Sequence, residues 1–178
     1  MHNMNIDSVQ KMKNTETLVL TKGQLFWHYC IIPFLLIVPL ITTIDLLKSY
    51  VTHNYRGLPI EISSWSFLFL LPAIAFYMIQ KRRLKFKVID VTVNADKFMR
   101  IAEEIAKKNK WNIVNQKSNL IVAKSGFSWR SWGELITIIR DTDRILFNSI
   151  CDPDNKPSVA SWGKNKINLR TFIAAITA

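Results

Sequence analysis

The stretch that decides the fold is ISSWSFLFLLPAIAFYMIQ, residues 62–80, followed at once by KRRLKFK, residues 81–87. The first part has no charged side chain, and a helix of its 19 residues is about 28 Å long, close to the hydrocarbon thickness of a bilayer. The second part holds five Lys and Arg residues in seven positions. An apolar helix that ends in a basic cluster is typical of a membrane span with a cytoplasmic anchor.

Another apolar run lies upstream, at residues 25–44, with the sequence LFWHYCIIPFLLIVPLITTI. It contains no formal charge, and Trp27 and Tyr29 stand near its start, where interfacial aromatic residues are expected. We therefore predict a transmembrane helix here as well, bent at Pro33 and Pro39. The two spans together predict a two-helix transmembrane hairpin over residues 25–80.

The orientation of this hairpin follows from the distribution of Lys and Arg. The connecting loop, residues 45–61, has two basic residues that are balanced by two acidic ones, whereas the basic juxtamembrane segment 81–87 has five. Because Lys and Arg favour the cytoplasmic side, both termini should face the cytoplasm. The predicted location is the inner (plasma) membrane of a bacterial type of cell, with a multi-pass topology.

The remaining chain divides into a tail and a domain. Residues 1–24 are polar and weakly periodic, which predicts a mobile cytoplasmic tail, and residues 88–178 predict a cytoplasmic α+β domain. A strand-like segment at 86–93 precedes a helix whose apolar positions recur at helical spacing from Phe98 to Ala106. Four strands and a closing helix at 165–177 follow. The predicted fold is an antiparallel sheet with two helices on one face, in the order β-α-β-β-β-β-α.

The net charge of +11 is concentrated and does not spread over the domain. Five of these charges lie in residues 81–87, and the domain mixes 14 basic with nine acidic side chains. That surface is moderately basic and disfavours nucleic acid as a partner. The basic segment is sufficient to set topology, and recruitment of anionic lipid is the alternative.

The residues of acid-base and metal chemistry are sparse in the domain. The three histidines, His2, His28 and His53, all precede it, and Cys151 is its single cysteine. We therefore expect no catalytic residue, no metal and no cofactor, and we interpret Cys151 as a packed thiol. The acidic pairs at 141 and 143 and at 152 and 154 fit turn chemistry, with divalent-cation binding or paired carboxylates as alternatives.

Tryptophan interleaved with basic residues is the most suggestive feature of the domain. It occurs in FSWRSWG at 127–133 and again in SWGKNK at 161–166. These indoles either cover the edge of the sheet or contact the membrane surface or a protein, and base stacking is a third possibility. The candidate lipid or partner contacts are Lys81, Arg82, Arg83, Lys85, Lys87, Trp129, Arg130, Trp132, Trp162 and Lys164.

The functional hypothesis rests on what the sequence lacks. A membrane anchor joined to a small domain without a catalytic constellation favours a protein that acts by binding, as an accessory subunit or scaffold of a membrane complex. Its expected partners are the lipid bilayer and either a second protein or further copies of itself. The alternatives are a membrane-bound enzyme that acts on lipid or envelope precursors through its Asp residues, and a protective protein that captures a toxin in the membrane.

Overall fold

The computed structural model describes residues 5–53, 65–126, 133–154 and 163–177. The helices are α1 (Ile6–Thr15), α2 (Lys22–Tyr29), α3 (Ile31–Thr52), α4 (Leu70–Arg83), α5 (Ala95–Lys108) and α6 (Lys164–Ile176), and one turn of 3₁₀-helix, Phe67–Phe69, precedes α4. The strands are β1 (Lys87–Ile89), β2 (Trp111–Lys117), β3 (Leu120–Ser125), β4 (Glu134–Arg140) and β5 (Ile145–Cys151).

The five strands form one antiparallel sheet in the order β1-β5-β4-β3-β2. Its centre is made of β4 and β5, ELITIIR and ILFNSIC, whose branched apolar side chains suit a strand that is buried on both faces. The tight hairpin between them closes with the amide of Asp141 donating to the carbonyl of Arg144 at 2.8 Å. The predicted α+β class with an antiparallel sheet is confirmed, although β1 is shorter than predicted.

One face of the sheet is covered by α5 and α6. Helix α5 begins at Asn94, whose side-chain oxygen accepts a hydrogen bond from the amide of Lys97 at 2.7 Å. The apolar stripe from Phe98 to Ala106 is buried against the sheet, and the rings of Phe147 in β5 and Phe172 in α6 lie 5.3 Å apart. The two predicted helices therefore do lie on the same face.

The opposite face is covered by the N-terminal part of the chain, so the prediction of a mobile tail is wrong for the described residues of that segment. Val9 and Met12 of α1, together with Leu18, are buried against the second face of the sheet. The amide of Leu18 also donates to the carbonyl of Leu84 at 2.8 Å. The physical reason is that a sheet with apolar side chains on both faces has to be covered on both.

The first predicted span is interrupted near its start. Helix α2 ends at Tyr29 and α3 runs from Ile31 to Thr52, eight residues beyond the predicted end of the span. Pro33 has no amide hydrogen to donate to the carbonyl of Tyr29, which explains a break ahead of this residue, whereas Pro39 is accommodated inside α3.

Among the described helices, α3 alone is long and apolar enough to cross a membrane, with 22 residues that include an 18-residue window of mean hydropathy 2.0. The segment predicted as the second span, residues 62–80, contains the 3₁₀ turn and most of α4, a helix of 14 residues, and its first three residues lie outside the described ones. It packs on α3, where the hydroxyls of Thr42 and Ser66 are 2.7 Å apart and Ala73 is buried. Length and composition alone thus indicate one candidate span among the described helices, and the predicted two-helix hairpin is not confirmed.

Because α1 is part of the core, a substitution at one of its buried positions should lower the stability of the domain. Met12 is fully buried, so Met12→Ala should destabilise the domain by about 2–5 kcal/mol, through lost apolar contact and the cavity that remains. The measurement is the thermal unfolding midpoint of the full chain in detergent. Lys11→Ala, at an exposed position of the same helix, is the matched control and should change the midpoint little. Equal midpoints for the two variants would contradict the packing of α1.

Candidate functional site

A basic cleft of about 320 Å³ lies where α4 enters the domain. It is bounded by the end of α4, the segment that leads into β1, the middle of β5 and the first turns of α6. Its lining residues are Ile79, Arg82, Arg83, Lys85, Lys87, Phe147, Asn148, Ser149, Asn165, Lys166 and Leu169. We refer to this set as the basic cleft.

The cleft exists because β1 covers only part of the edge of β5. The pairing of the two strands begins at Lys87, opposite Phe147, and ends at Ile89, opposite Ile145. On the N-terminal side of Lys87 the chain is no longer paired with β5. It pairs instead with the N-terminal segment, through the bridge between Thr17 and Lys85. Because no described strand pairs with β5 beyond Phe147 on this edge, a space lies beside Asn148 and Ser149.

Asn148 fixes one wall of the cleft. Its side chain is 3% exposed, and its amide nitrogen donates to the carbonyl oxygens of Arg83 and Lys85 at 2.9 and 3.0 Å. These two hydrogen bonds hold the backbone of the basic segment against β5. The amide oxygen of Asn148 has no hydrogen-bond partner in the part of the chain that the structure describes.

The opposite wall is held by a short polar network. Asn168 of α6 donates to the hydroxyl of Ser149 at 3.0 Å, and that hydroxyl donates to the side-chain oxygen of Asn165 at 3.4 Å. Helix α6 enters this arrangement after Gly163, whose φ of +80° is a conformation that glycine adopts readily. The network places Asn165 and Lys166 in the cleft.

The electrostatics of the cleft are those of an anion site. The side chains of Arg82, Lys85, Lys87 and Lys166 are exposed, and none of the four forms an ion pair with another described residue. No carboxylate is among the described residues that line the cleft. Lys and Arg only donate hydrogen bonds, so such a group favours a phosphate or carboxylate ligand.

The predicted contact residues divide into three groups. Arg82, Arg83, Lys85 and Lys87 line the cleft together. Lys81 lies outside it, with its ammonium 5.8 Å from the centre of the Tyr77 ring, and Lys164 in the first turn of α6 does not line it either. The remaining four predicted residues lie outside the described ones, namely Trp129, Arg130, Trp132 and Trp162.

The candidate list from the sequence omits Asn148, Ser149, Asn165 and Lys166, which complete the cleft. A local signal for two of them was available, because Asn148 and Ser149 are consecutive polar residues inside the otherwise apolar strand ILFNSIC. Buried polar residues in a strand need partners, and here they bind the basic segment and α6. No local signal indicated which segments those partners belong to.

Of the acidic pairs, Asp141, Asp152 and Asp154 form ion pairs, whereas Asp143 is exposed. Asp152 binds the ammonium of Lys124 at 2.8 Å, Asp154 binds the same ammonium, and the amide of Asp154 donates to the carboxylate of Asp152 at 3.1 Å. Burial lowers the pKa of Lys124, but its hydrogen bonds to these carboxylates outweigh that effect and raise the pKa overall. Within the described residues no group of three acidic, Cys or His side chains is arranged to hold a metal ion.

Comparison with known proteins gives no relative for this chain. No protein-family model matches it, and neither a curated protein nor a solved structure does. The function is therefore inferred from the residues and geometry described above.

The ion pairs of Asp141 should make a contribution to the stability of the fold that depends on pH. Its carboxylate binds Lys13 of α1 at 2.8 Å and Arg144 at 3.4 Å, and the hydrogen bond from Lys13 lowers the pKa of Asp141 most strongly. A carboxyl with a lowered folded-state pKa stabilises the fold above its unfolded pKa of about 4, and that contribution is lost as pH falls through the folded-state value. Asp141→Asn should therefore cost about 0.5–1 kcal/mol at neutral pH, since partly exposed ion pairs are screened.

The measurement is the unfolding midpoint of wild type and Asp141→Asn between pH 7 and pH 3. The difference should be full at pH 7 and should shrink below about pH 4. Asp143→Asn, at an exposed position of the same turn, is the control for a charge change alone. A difference that stays constant over the whole range would rule out the ion pair as its cause.

Proposed function

We propose that this protein is an integral inner-membrane protein in which a two-helix hairpin anchors a small cytoplasmic domain. The domain acts by binding, as an accessory subunit or scaffold of a membrane complex. Support for the anchor comes from the length and apolar character of α3 and from the packing of α4 against it. The basic segment 81–87, which begins in the last turn of α4, supports a cytoplasmic location of the domain.

The observation that carries the proposal is the direct connection between α4 and the domain. Helix α4 ends at Arg83, and both Leu84 and Phe86 are buried in the second core of the sheet. The hydrogen bonds from Asn148 to Arg83 and Lys85 secure the same joint. A domain attached without a flexible linker holds its surface at a set height and orientation above the bilayer, as a scaffold requires.

The surface of the helical part also needs a partner. Apolar side chains of α3 and α4 are exposed over most of their length, among them Phe34, Ile41, Leu71 and Ile74. Contiguous apolar surface of this kind is stable only against lipid tails or another protein. This supports the bilayer as one partner, and a second protein or another copy of the chain as the other.

The enzymatic alternative uses the Asp residues on lipid or envelope precursors. The contacts of Asp141, Asp152 and Asp154 with Lys13, Arg144 and Lys124 support structural roles for these carboxylates. Alanine substitution at the acidic turn positions separates the hypotheses, because loss of a cellular phenotype in a still-folded protein would favour chemistry. Capture of a toxin in the membrane stays a third hypothesis, without a described contact that favours it.

The membrane topology is the first test of the proposal. Green fluorescent protein fused after residue 178 should fluoresce in bacterial cells, and alkaline phosphatase at the same position should be inactive, because the C-terminus is expected in the cytoplasm. Phosphatase fused after Thr52, the last residue of α3, should be active. The reverse pattern, or release of the unfused chain from membranes by alkaline carbonate, would refute the anchor.

Binding as a subunit is tested by the molar mass of the purified chain in mild detergent. The proposal expects either a multiple of 20.6 kDa after correction for detergent or a stoichiometric second protein. Light scattering coupled to size-exclusion chromatography measures this mass. A monodisperse monomer that carries no second protein would count against the scaffold role, while leaving the topology result unaffected.

A further inference from the structure

The basic side chains of the cleft surround a single cavity. Arg82 lies in the last turn of α4, Lys87 is the first residue of β1, and Lys166 lies in α6, nearly 80 positions after Lys87. Convergence of cations from separate elements, with no carboxylate among the described lining residues, is the arrangement that holds a phosphate group.

The cleft also contains groups that a bare phosphate would not use. Ile79 and Leu169 add apolar surface. A ligand that matches both the cations and this apolar surface carries a phosphate and an apolar part.

The position of the cleft indicates where such a ligand comes from. Ile79 and Arg82 lie one turn apart on α4, so the apolar face of the helix leads directly to the cations of the cleft. A phospholipid beside α4 would place its acyl chains along that helix and its headgroup among the basic side chains. The volume of about 320 Å³ is at the small end for ligand pockets, which suits a headgroup.

From these observations we infer that the basic cleft binds the headgroup of an anionic phospholipid. The inference rests on the proposed membrane anchoring, because that anchoring brings the cleft to the lipid surface. Arg82, Lys87 and Lys166 hold the phosphate. Bound lipid would then stiffen the joint between α4 and the domain, since it contacts both.

The test measures lipid retained by the full chain in native mass spectrometry from mild detergent. Phosphatidylglycerol and phosphatidylcholine with identical acyl chains are offered at equal concentration. The wild-type chain should retain one phosphatidylglycerol with at least about tenfold preference, because each Lys or Arg near an anionic lipid contributes several-fold to binding. Equal retention of the two lipids would overturn the inference.

Two matched variants test the assignment of residues. The first replaces three cations of the cleft and should lower the preference to about that of a neutral lipid: Arg82→Gln, Lys87→Gln and Lys166→Gln. The control makes the same chemical change at three exposed positions of α5 and should keep the wild-type preference: Arg100→Gln, Lys107→Gln and Lys108→Gln. Full retention of phosphatidylglycerol by the cleft variant would refute the site.

Two further measurements keep the outcome unambiguous. If the triple variant unfolds at a lower temperature than the control, the single changes Lys87→Gln and Lys166→Gln are used, each with an expected loss of several-fold. Inorganic phosphate and glycerol phosphate are added as competitors. Displacement of the lipid by either at the lipid's own concentration would show a site for free phosphate and overturn the lipid assignment.

Carbonate extraction and lipid preference, measured on the same protein, distinguish failure of the lipid site from failure of the membrane anchor on which it rests. A chain that resists extraction by alkaline carbonate but shows no preference for phosphatidylglycerol keeps its membrane anchor and loses only the lipid site. A chain that carbonate releases from membranes overturns the anchoring and the lipid site together.

Discussion

The rest of the structure depends on the backbone pairing between residues 16–18 and 84–86. The amide of Leu18 donates to the carbonyl of Leu84, and the amide of Phe86 donates to the carbonyl of Glu16, both at 2.8 Å. These bonds join the N-terminal segment, which covers the second face of the sheet, to the chain that arrives from α4. They therefore tie the second core of the sheet to the end of α4, together with the hydrogen bonds from Asn148.

This joint also explains why a cleft is present beside it. The chain can pair either with the edge of β5 or with the N-terminal segment, and it changes from one to the other near Lys87. Asn148 uses its side chain to bind the departing backbone where strand pairing has ended. The ladder of strand hydrogen bonds therefore has a gap at this point, and the basic residues Arg82, Arg83, Lys85 and Lys87 line the space beside it.

The charges of the domain have two different environments. In one, Asp141, Asp152 and Asp154 are matched with Lys13, Arg144 and Lys124, so attraction between opposite charges holds loops and α1 in place. In the other, the cations of the cleft have no carboxylate beside them in the described chain. Grouping like charges without compensation is unfavourable for folding, and such a site is typical of a ligand-binding role.

The sequence by itself determined the features that depend on local pattern. Alternating and continuous apolar residues gave the five strands, the helical stripe from Phe98 to Ala106 gave α5, and the apolar run of α3 gave a candidate span. Only the tertiary structure decided that α1 is part of the core and that Asn148 binds Arg83, 65 positions away. Those features depend on which buried faces and polar groups remain unsatisfied once the sheet has formed, and that is a property of the whole fold.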